Sequence, residues 1–464
     1  MMEPKAKSRP VLTEGPIAKT LFLFSLPILF GNVLQSLNGS INSIWVGQFL
    51  GETALAATSN ANIIMFFLLS LIFGISMAAV ILVGQNLGAQ KVEEAKRVVG
   101  TSVVFFAITS VIVGAAGVIF SPHILDLLNT PPDAKPFAVT YTQIIFAGIP
   151  FMFGYNLVMA VLRGSGDAKT PFYFLLFSAG LDVLLNPLLI TGFGPFPKLG
   201  IGGSATATFF AQFVSFFALL VYLYMKKYFL RITKQDLHLL RLNWPLVGIL
   251  IRKGLPMGLN MVVVSVSNLV LIHIVNAFGS ESTAAFGVAN QISSYVQMPA
   301  MAVGGAVTSI AAQNIGAGKW DRVSRVTWTG VGFNILLTGL LVLLLHLFNR
   351  EALGLFLPIH GMAIELGIHI NNITLWSFII FGIFNVVAGV VRSSGAVIVP
   401  LIVSFIALLV IRIPLASYFG SRFGFDMIWW SFPISFAIAA ALNVLYYLYG
   451  GWRKTRMMEA MNRA

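Results

Sequence analysis

The sequence contains no cysteine and few charged residues, and both shortages restrict what the protein can be. Without cysteine it forms neither a structural disulfide nor a thiolate metal site, although this absence does not identify the compartment. Charged residues make up 10% of the 464 residues and hydrophobic residues 57%, with a mean hydropathy of +0.88. Soluble globular proteins do not have this composition. We therefore interpret the chain as a polytopic integral membrane protein.

The apolar residues form continuous stretches rather than an alternating pattern, so we expect transmembrane helices. A helix of roughly 20 residues crosses a hydrocarbon core about 30 Å thick. Twelve such stretches predict an all-α integral membrane fold with twelve transmembrane helices. Their expected bounds are residues 17–46, 54–83, 97–120, 137–162, 171–193, 203–227, 249–277, 284–311, 324–348, 364–390, 397–419 and 426–450.

The net charge of +13 raises the question of a nucleic-acid partner, and the positions of the charges answer it. If the N-terminus is cytoplasmic, almost all lysines and arginines lie in cytoplasmic segments. The exceptions are Lys135, Lys198, Arg350 and Arg422 on the opposite side and Arg412 inside a span. Such an asymmetry follows the positive-inside rule. We expect both termini to be cytoplasmic and no nucleic-acid partner.

An internal repeat divides the twelve predicted spans into two sets of six. The segment VGQNLGAQK, which begins at Val83, recurs as AAQNIGAGK from Ala311. That offset is 228 residues. In the same order, and offset by 229 residues, SLPILFGN recurs as GLPMGLNM, and LRGSG with Pro171 after it recurs as VRSSG with Pro400 after it. Because six is an even number, both repeats have the same orientation in the membrane.

The repeat predicts five parts of the chain. They are a cytoplasmic N-terminal segment (1–16), an N-terminal six-helix lobe (17–227), a cytoplasmic linker (228–248), a C-terminal six-helix lobe (249–450) and a basic cytoplasmic tail (451–464). Two pseudo-symmetric helical lobes are typical of secondary transporters, which open a central cavity alternately to each side. The sequence has no GxxxxGK[ST] motif, so we expect no ATP-driven motor in this chain.

Asp182 is the one acidic residue that lies deep inside an apolar stretch. A carboxylate at that depth costs at least about 2.5 kcal/mol, so it is expected to face a protein-lined or water-filled interior. Ser178 and Asn186 lie one helical turn away on the same face. Gln35, Asn38 and Asn42 form a second polar stripe in the first span, which we expect to face Asp182.

Several motifs, in this order, give the chain a resemblance to the multidrug and toxic compound extrusion (MATE) family, and favour its DinF-like branch. They are SLPILFGN, INSIWVGQFLGETALAA, GQNLGAQ, LRGSGDAKTP, LDVLLNPLLI, GIGGSATAT and RIPLA. The resemblance covers essentially the whole chain and implies two lobes around a V-shaped cavity. It also implies a non-enzymatic protein of a bacterial or archaeal cytoplasmic membrane, without a cofactor and monomeric. Such a protein exports amphipathic organic cations by alternating access in exchange for protons, which we favour, or sodium ions.

The chain departs from the family pattern at two positions. Asn42 stands where members commonly have an aspartate, and the usual order of Asn and Asp in the fifth span is exchanged, with Asp182 before Asn186. Desolvation disfavours a charged carboxylate, so Asp182 is expected to hold a proton or a transient sodium ion until water or a drug cation displaces it. The predicted cation-coupling residues are Asp182, Asn186, Asn42, Ser178, Asn38 and Thr206, with Thr208 as a further hydroxyl.

Two structural interpretations of these residues remain open. In the first, Asp182 is a structural residue that pairs with Arg412 or fixes a bent helix. In the second, the amide side chains of the first span form hydrogen bonds between helices and bind no ligand. Aromatic, methionine and amide side chains suit a lipophilic cation, although lipid contact or helix packing is the favoured explanation for most of them. The predicted substrate-cavity residues are Gln35, Met65, Tyr155, Gln291, Tyr295 and Met298, and we predict no catalytic residue and no fixed metal.

Two other functions compete with antiport. A flippase of lipid-linked oligosaccharides belongs to the same superfamily, but it would need several cationic groups to hold a pyrophosphate. Arg412 is the one strong candidate for that role inside a span. The second competitor is a receptor or an ion channel that does not transport by exchange. Substrate-dependent exchange would exclude it.

Overall fold

The computed structural model of the protein describes residues 12–358 and 361–462. The predicted terminal segments 1–16 and 451–464 therefore fall partly outside the described residues. Within the described ranges the chain is helical and has no β-strand. We number the long helices α1 to α12. They are α1 (17–50), α2 (52–88), α3 (Val92–Leu127), α4 (Lys135–Gly164), α5 (Lys169–Thr191), α6 (Ile201–Met225), α7 (Trp244–Asn276), α8 (Ser280–Gly316), α9 (Trp320–Leu347), α10 (Met362–Thr374 and Ser377–Ser394), α11 (Ile398–Phe419) and α12 (Asp426–Tyr449).

The predicted all-α membrane fold is confirmed. Of the helices in the described residues, 11 are long and apolar enough to cross a membrane. The remaining predicted span, 284–311, lies in α8, a helix of 37 residues that is richer in serine, glycine and amide side chains. The helices α1 and α2 form one helical segment that bends at Gly51, whose φ of 82° is open to glycine and strained for most other residues.

The contacts divide the described chain into two compact units. The N-terminal unit comprises residues 30–254, and the C-terminal unit comprises residues 255–462 together with residues 12–29. The boundary therefore falls inside α1, whereas the repeat in the sequence places all of α1 in the N-terminal lobe. Hydrogen bonds explain this grouping, because the Leu12 backbone pairs with the side chains of Gln313 and Asn314 at the end of α8.

The N-terminal unit packs α3 against α4, and α6 against both α4 and α5. The approach of α5 and α6 requires glycine at Gly203, because a Cβ atom there would lie 2.3 Å from the carbonyl oxygen of Leu189. Hydrogen bonds join α1 to α5 as well. Together these contacts place the middle of α5 between α1 and α6.

The C-terminal unit has an aromatic core. Phe378, Phe381, Phe432, Phe436 and the fully buried Trp429 belong to it. The helix α11 changes to π-helical turns at Ile406–Ile411 and at Leu415–Phe419. These turns flank Arg412, which is 2% exposed.

Candidate functional site

Asp182 lies in the middle of α5 and is 2% exposed. Its Oδ2 atom accepts two hydrogen bonds from α1, one from the Asn38 amide at 2.8 Å and one from the Asn42 amide at 2.7 Å. Its Oδ1 atom accepts a third from the Thr208 hydroxyl of α6 at 3.0 Å. Three donors from two other helices therefore surround the carboxylate.

Asn186 extends this network by one helical turn. Its amide donates to the Asn42 Oδ1 atom at 3.1 Å, and the residue itself is completely buried. Asn42 thus links Asp182 to Asn186 by donating to one and accepting from the other. Bonds to a charged group contribute about 1.5–3 kcal/mol each, enough to offset much of the cost of burying the carboxylate.

The helical period explains why these side chains meet. Asn38 and Asn42 are four residues apart in α1, as are Asp182 and Asn186 in α5, so each pair occupies one face of its helix. The two faces meet where α1 packs on α5. Thr208 completes the site because the close approach at Gly203 brings the first turns of α6 against α5.

The structure brings together four of the six predicted coupling residues, namely Asp182, Asn186, Asn42 and Asn38. Ser178 lies one turn away and lines an adjoining cavity. Among the described residues, Thr206 makes no hydrogen bond to Asp182, and Thr208 occupies that place instead. Residues two apart in a helix point in different directions, so the rotation of α6 decides which threonine meets the carboxylate.

The adjoining cavity has a volume of about 130 Å³ and lies within the N-terminal unit. Of the predicted substrate residues, Gln35 and Tyr155 line it. Three further polar residues also line it, although they were not predicted to belong to the site: Asn156, Arg163 and Gln212. A signal was present, because Asn156, Met159 and Arg163 recur at helical spacing in α4, and Thr208 and Gln212 do so in α6.

The other predicted substrate residues lie apart from this cavity. Met65 is buried in α2 of the N-terminal unit. Gln291 and Tyr295 belong to α8 of the C-terminal unit, where the Gln291 amide donates to the Tyr295 hydroxyl at 3.1 Å. Met298, one turn further on, is buried. These three are thus held within α8, either by a hydrogen bond or by packing.

Arg412, the partner considered for Asp182, has different neighbours. Its Nε atom donates to the Ser435 hydroxyl at 2.9 Å, and its guanidinium lies 4.5 Å from the ring centres of Phe432 and Phe436. The donors to Asp182 are amides and a hydroxyl. In the described part of the chain, no three His, Cys, Asp or Glu side chains come together as a metal site.

The chain is similar to known membrane proteins over most of its length. A family model described as MatE matches residues 27–188 and 256–418, one stretch in each half of the chain. The chain is 37% identical to "Probable multidrug resistance protein YoeA" of Bacillus subtilis, covering 98% of this chain and all of that protein. It is 32% identical to "Probable multidrug resistance protein YpnP" of the same organism, over 96% of this chain and 98% of that protein.

Solved structures share the fold of this chain over their whole length. One is a crystal structure of a MATE mutant, with a TM-score of 0.87 and 21% identity, covering 99% of this chain and 100% of that one. Another is an outward-facing multidrug resistance MATE family transporter of the MOP superfamily, with a TM-score of 0.85 and the same identity and coverage. At this identity, the similarity establishes the fold alone.

Proposed function

We propose, from the premise that this chain belongs to the MatE family of membrane transporters, that it exports amphipathic organic cations in exchange for protons. Membership makes it a multi-pass membrane protein whose relatives are named for multidrug resistance. The exchange for protons rests on one observation, the buried carboxylate of Asp182 with its three donors. The charge asymmetry supports cytoplasmic termini for this transporter.

The proposed mechanism makes proton and drug occupancy mutually exclusive. When the site faces outward, a proton from the exterior binds to an Asp182 oxygen and removes the charge that attracts the drug cation, which leaves. When the site faces inward, the proton departs and the amides of Asn38 and Asn42 stabilise the carboxylate. A second drug cation is then attracted. Alternating access couples the two fluxes because neither occupant binds together with the other.

The arrangement of donors favours a proton over a sodium ion. Sodium needs several oxygen ligands, whereas the groups nearest to Asp182 present N–H and O–H donors to it. A proton can bind to either carboxylate oxygen while the other oxygen keeps its hydrogen bonds. A sodium ion would require the amides of Asn38 and Asn42 to rotate and present their oxygens.

Efflux of a fluorescent lipophilic cation from proteoliposomes tests this proposal. The wild type is expected to move the dye under an imposed pH gradient and not under a sodium gradient, and Asp182→Asn is expected to abolish that movement. The variant must elute as a monodisperse species in detergent, so that misfolding does not explain the loss. Normal coupled efflux by Asp182→Asn would refute the role of Asp182, and dye movement driven by sodium alone would refute proton coupling.

A further inference from the structure

The cavity beside Asp182 contains a cation without a partner. The Arg163 side chain lines the cavity from the last turn of α4. In the described part of the chain, its guanidinium takes part in no ion pair and no hydrogen bond. The nearby Tyr155 hydroxyl is buried and also lacks a hydrogen-bond partner there. One wall of the cavity therefore carries donors that have no acceptor.

Acceptors without a donor lie on other walls of the same cavity. The Asn38 Oδ1 atom on α1 and the Gln212 Oε1 atom on α6 are both buried and unpaired in the described residues. Asn38 already donates to Asp182, so its oxygen points away from the carboxylate. An occupant that satisfies all of these groups must both donate and accept hydrogen bonds.

The order of residues along the helices shows where the cavity lies relative to Asp182. Gln35 precedes Asn38 in α1 and Ser178 precedes Asp182 in α5, whereas Gln212 follows Thr208 in α6. The helix α6 runs opposite to α5, so all three displacements point toward the same end of the unit. Arg163, at the end of α4, lies at that end too. The cavity thus begins about one helical turn, roughly 5 Å, from the carboxylate and extends toward Arg163.

We propose that this cavity is a subsite for a compact anionic group of the transported molecule, a carboxylate held by Arg163. The preferred substrates would then be zwitterionic amphiphiles rather than simple cations. This inference rests on the proposed transport function and specifies its substrate class. The planar guanidinium matches a carboxylate in a two-pronged hydrogen bond, and the Tyr155 hydroxyl supplies a further donor.

The size and charge of the cavity agree with this occupant. A volume of about 130 Å³ admits a carboxylate and a few water molecules, each of which takes about 30 Å³ in the liquid. The body of a drug-sized molecule must remain outside it. N–H groups of the substrate meet the free oxygens of Asn38 and Gln212, and its positive charge is attracted by Asp182. A substrate with only a positive charge would leave Arg163 unpaired.

A pair of dyes that differ in one charge tests the inference. The first is a rhodamine with a free benzoate, and the second is its methyl ester, which is a pure cation. We expect the wild type to transport the benzoate form with a KM about tenfold lower than that of the ester. Arg163→Gln is expected to remove this preference while the KM of the ester stays unchanged or falls, and Arg163→Lys is expected to retain part of it.

Arg392→Gln is the matched control, because Arg392 occupies the corresponding helix end in the C-terminal repeat. It is expected to leave the preference intact. Equal KM values for the two dyes in the wild type, or an equal loss for both dyes in Arg163→Gln, would overturn the inference and indicate a cavity that holds only water.

A measurement of dye binding distinguishes the proposed transport function from the proposed carboxylate subsite. Fluorescence anisotropy of each dye with the detergent-solubilised protein reports the preference even if neither dye is transported. Failure of both dyes to move would count against the transport function. A benzoate dye that binds no more tightly than its ester would count against the subsite.

Discussion

The two units have repeated helices but different interiors. The family model matches 27–188 and 256–418, and LRGSG recurs as VRSSG 229 residues later. At this offset, three of the four network residues of α1 and α5 have apolar counterparts in the C-terminal repeat. Leu271, Ile411 and Leu415 stand in place of Asn42, Asp182 and Asn186, respectively, and Ser267 stands in place of Asn38. The repeat therefore does not require a carboxylate for its fold. The proposed coupling role accounts for its presence in one unit.

The C-terminal unit keeps neutral polar contacts at the same helix pair. The Asn260 amide of α7 donates to the Ser404 hydroxyl of α11 at 2.7 Å, and the Ser267 hydroxyl donates to the Leu408 carbonyl at 3.0 Å. Interhelical hydrogen bonds of this kind contribute about 0.6 kcal/mol on average in membrane proteins. They hold helices together without a charge, so the packing of this helix pair does not require a carboxylate.

The buried charge of the C-terminal unit has the opposite sign. Arg412 is held by Ser435 and by the rings of Phe432 and Phe436, and one guanidinium nitrogen, Nη2, is buried without a partner in the described residues. The π-helical turns on both sides of it widen α11 locally. Its contacts are packing and cation–π contacts, in contrast to those of the hydrogen-bonded carboxylate of the N-terminal unit.

The largest expected effect is on stability, and it follows from substitutions that test whether Arg412 is needed for packing. Arg412→Ala leaves a void between two phenylalanine rings and is expected to lower the free energy of unfolding by about 3 kcal/mol. Arg412→Met fills most of the space without burying a charge, so its stability is expected to equal or exceed that of the wild type.

Thermal unfolding in detergent measures the stability of both variants, with Arg422→Met as the control, because Arg422 is exposed. The Arg412→Met variant is also expected to keep coupled transport. Loss of coupled transport in a variant of unchanged stability would show that the charge of Arg412 is functional. The C-terminal unit would then also contain a functional buried charge.

The next largest effect is on the pH dependence of substrate binding, and it follows from the loss of a hydrogen-bond donor to Asp182. Thr208→Ala removes one of three hydrogen bonds to the carboxylate, so the proton is expected to be held more tightly. Half-maximal binding of a cationic dye should then shift by about one pH unit toward higher pH. A titration of dye binding against pH measures the shift.

Thr206→Ala is the matched control for this titration, since it removes the same hydroxyl from the same helix without touching Asp182. An equal shift in both variants would mean that the change in α6, rather than the lost hydrogen bond, alters the site.

The smallest expected effect lies outside the membrane. The hydroxyl and backbone N–H of Thr233, together with the Lys96 ammonium, hold the pKa of Asp236 at about 2. A depressed pKa stabilises the fold above about pH 4, and this contribution is lost as the pH falls toward 2. Asp236→Asn is therefore expected to lower the free energy of unfolding at pH 7 by about 1 kcal/mol, with a difference that shrinks in acid.

Thermal unfolding at pH 7 and pH 3 checks this prediction. Glu93→Gln is the control, because Glu93 is exposed and lies 3.8 Å from the same lysine. A stability difference for Asp236→Asn that does not depend on pH would contradict the assigned hydrogen bonds.

The sequence was sufficient to predict the features that depend on short-range patterns. The length of the apolar stretches predicted the helices. The helical period predicted that Asn38 and Asn42 share one face of α1 and that Asp182 and Asn186 share one face of α5. The repeated motifs predicted two sets of six helices. These features follow from the local geometry of a helix in lipid, which does not depend on how the helices pack.

Features that depend on how helices rotate and approach each other could not be predicted. The choice between Thr206 and Thr208 follows from the rotation of α6. The cavity at Arg163 combines residues from four helices, so no single stretch of sequence reveals it. The grouping of residues 12–29 with the C-terminal unit depends on contacts made about 300 residues further along the chain.

Proton release on substrate binding is the most direct test of the role of Asp182. Detergent-solubilised protein in a weakly buffered solution, at a pH where Asp182 is protonated, is mixed with a lipophilic cation while the solution pH is recorded. The account predicts that the wild type releases about one proton for each bound cation. Asp182→Asn, which mimics the protonated site, is expected to bind the cation more weakly and to release no proton. Equal release by Asp182→Asn, or binding by the wild type with no release, would contradict the assignment of coupling to Asp182.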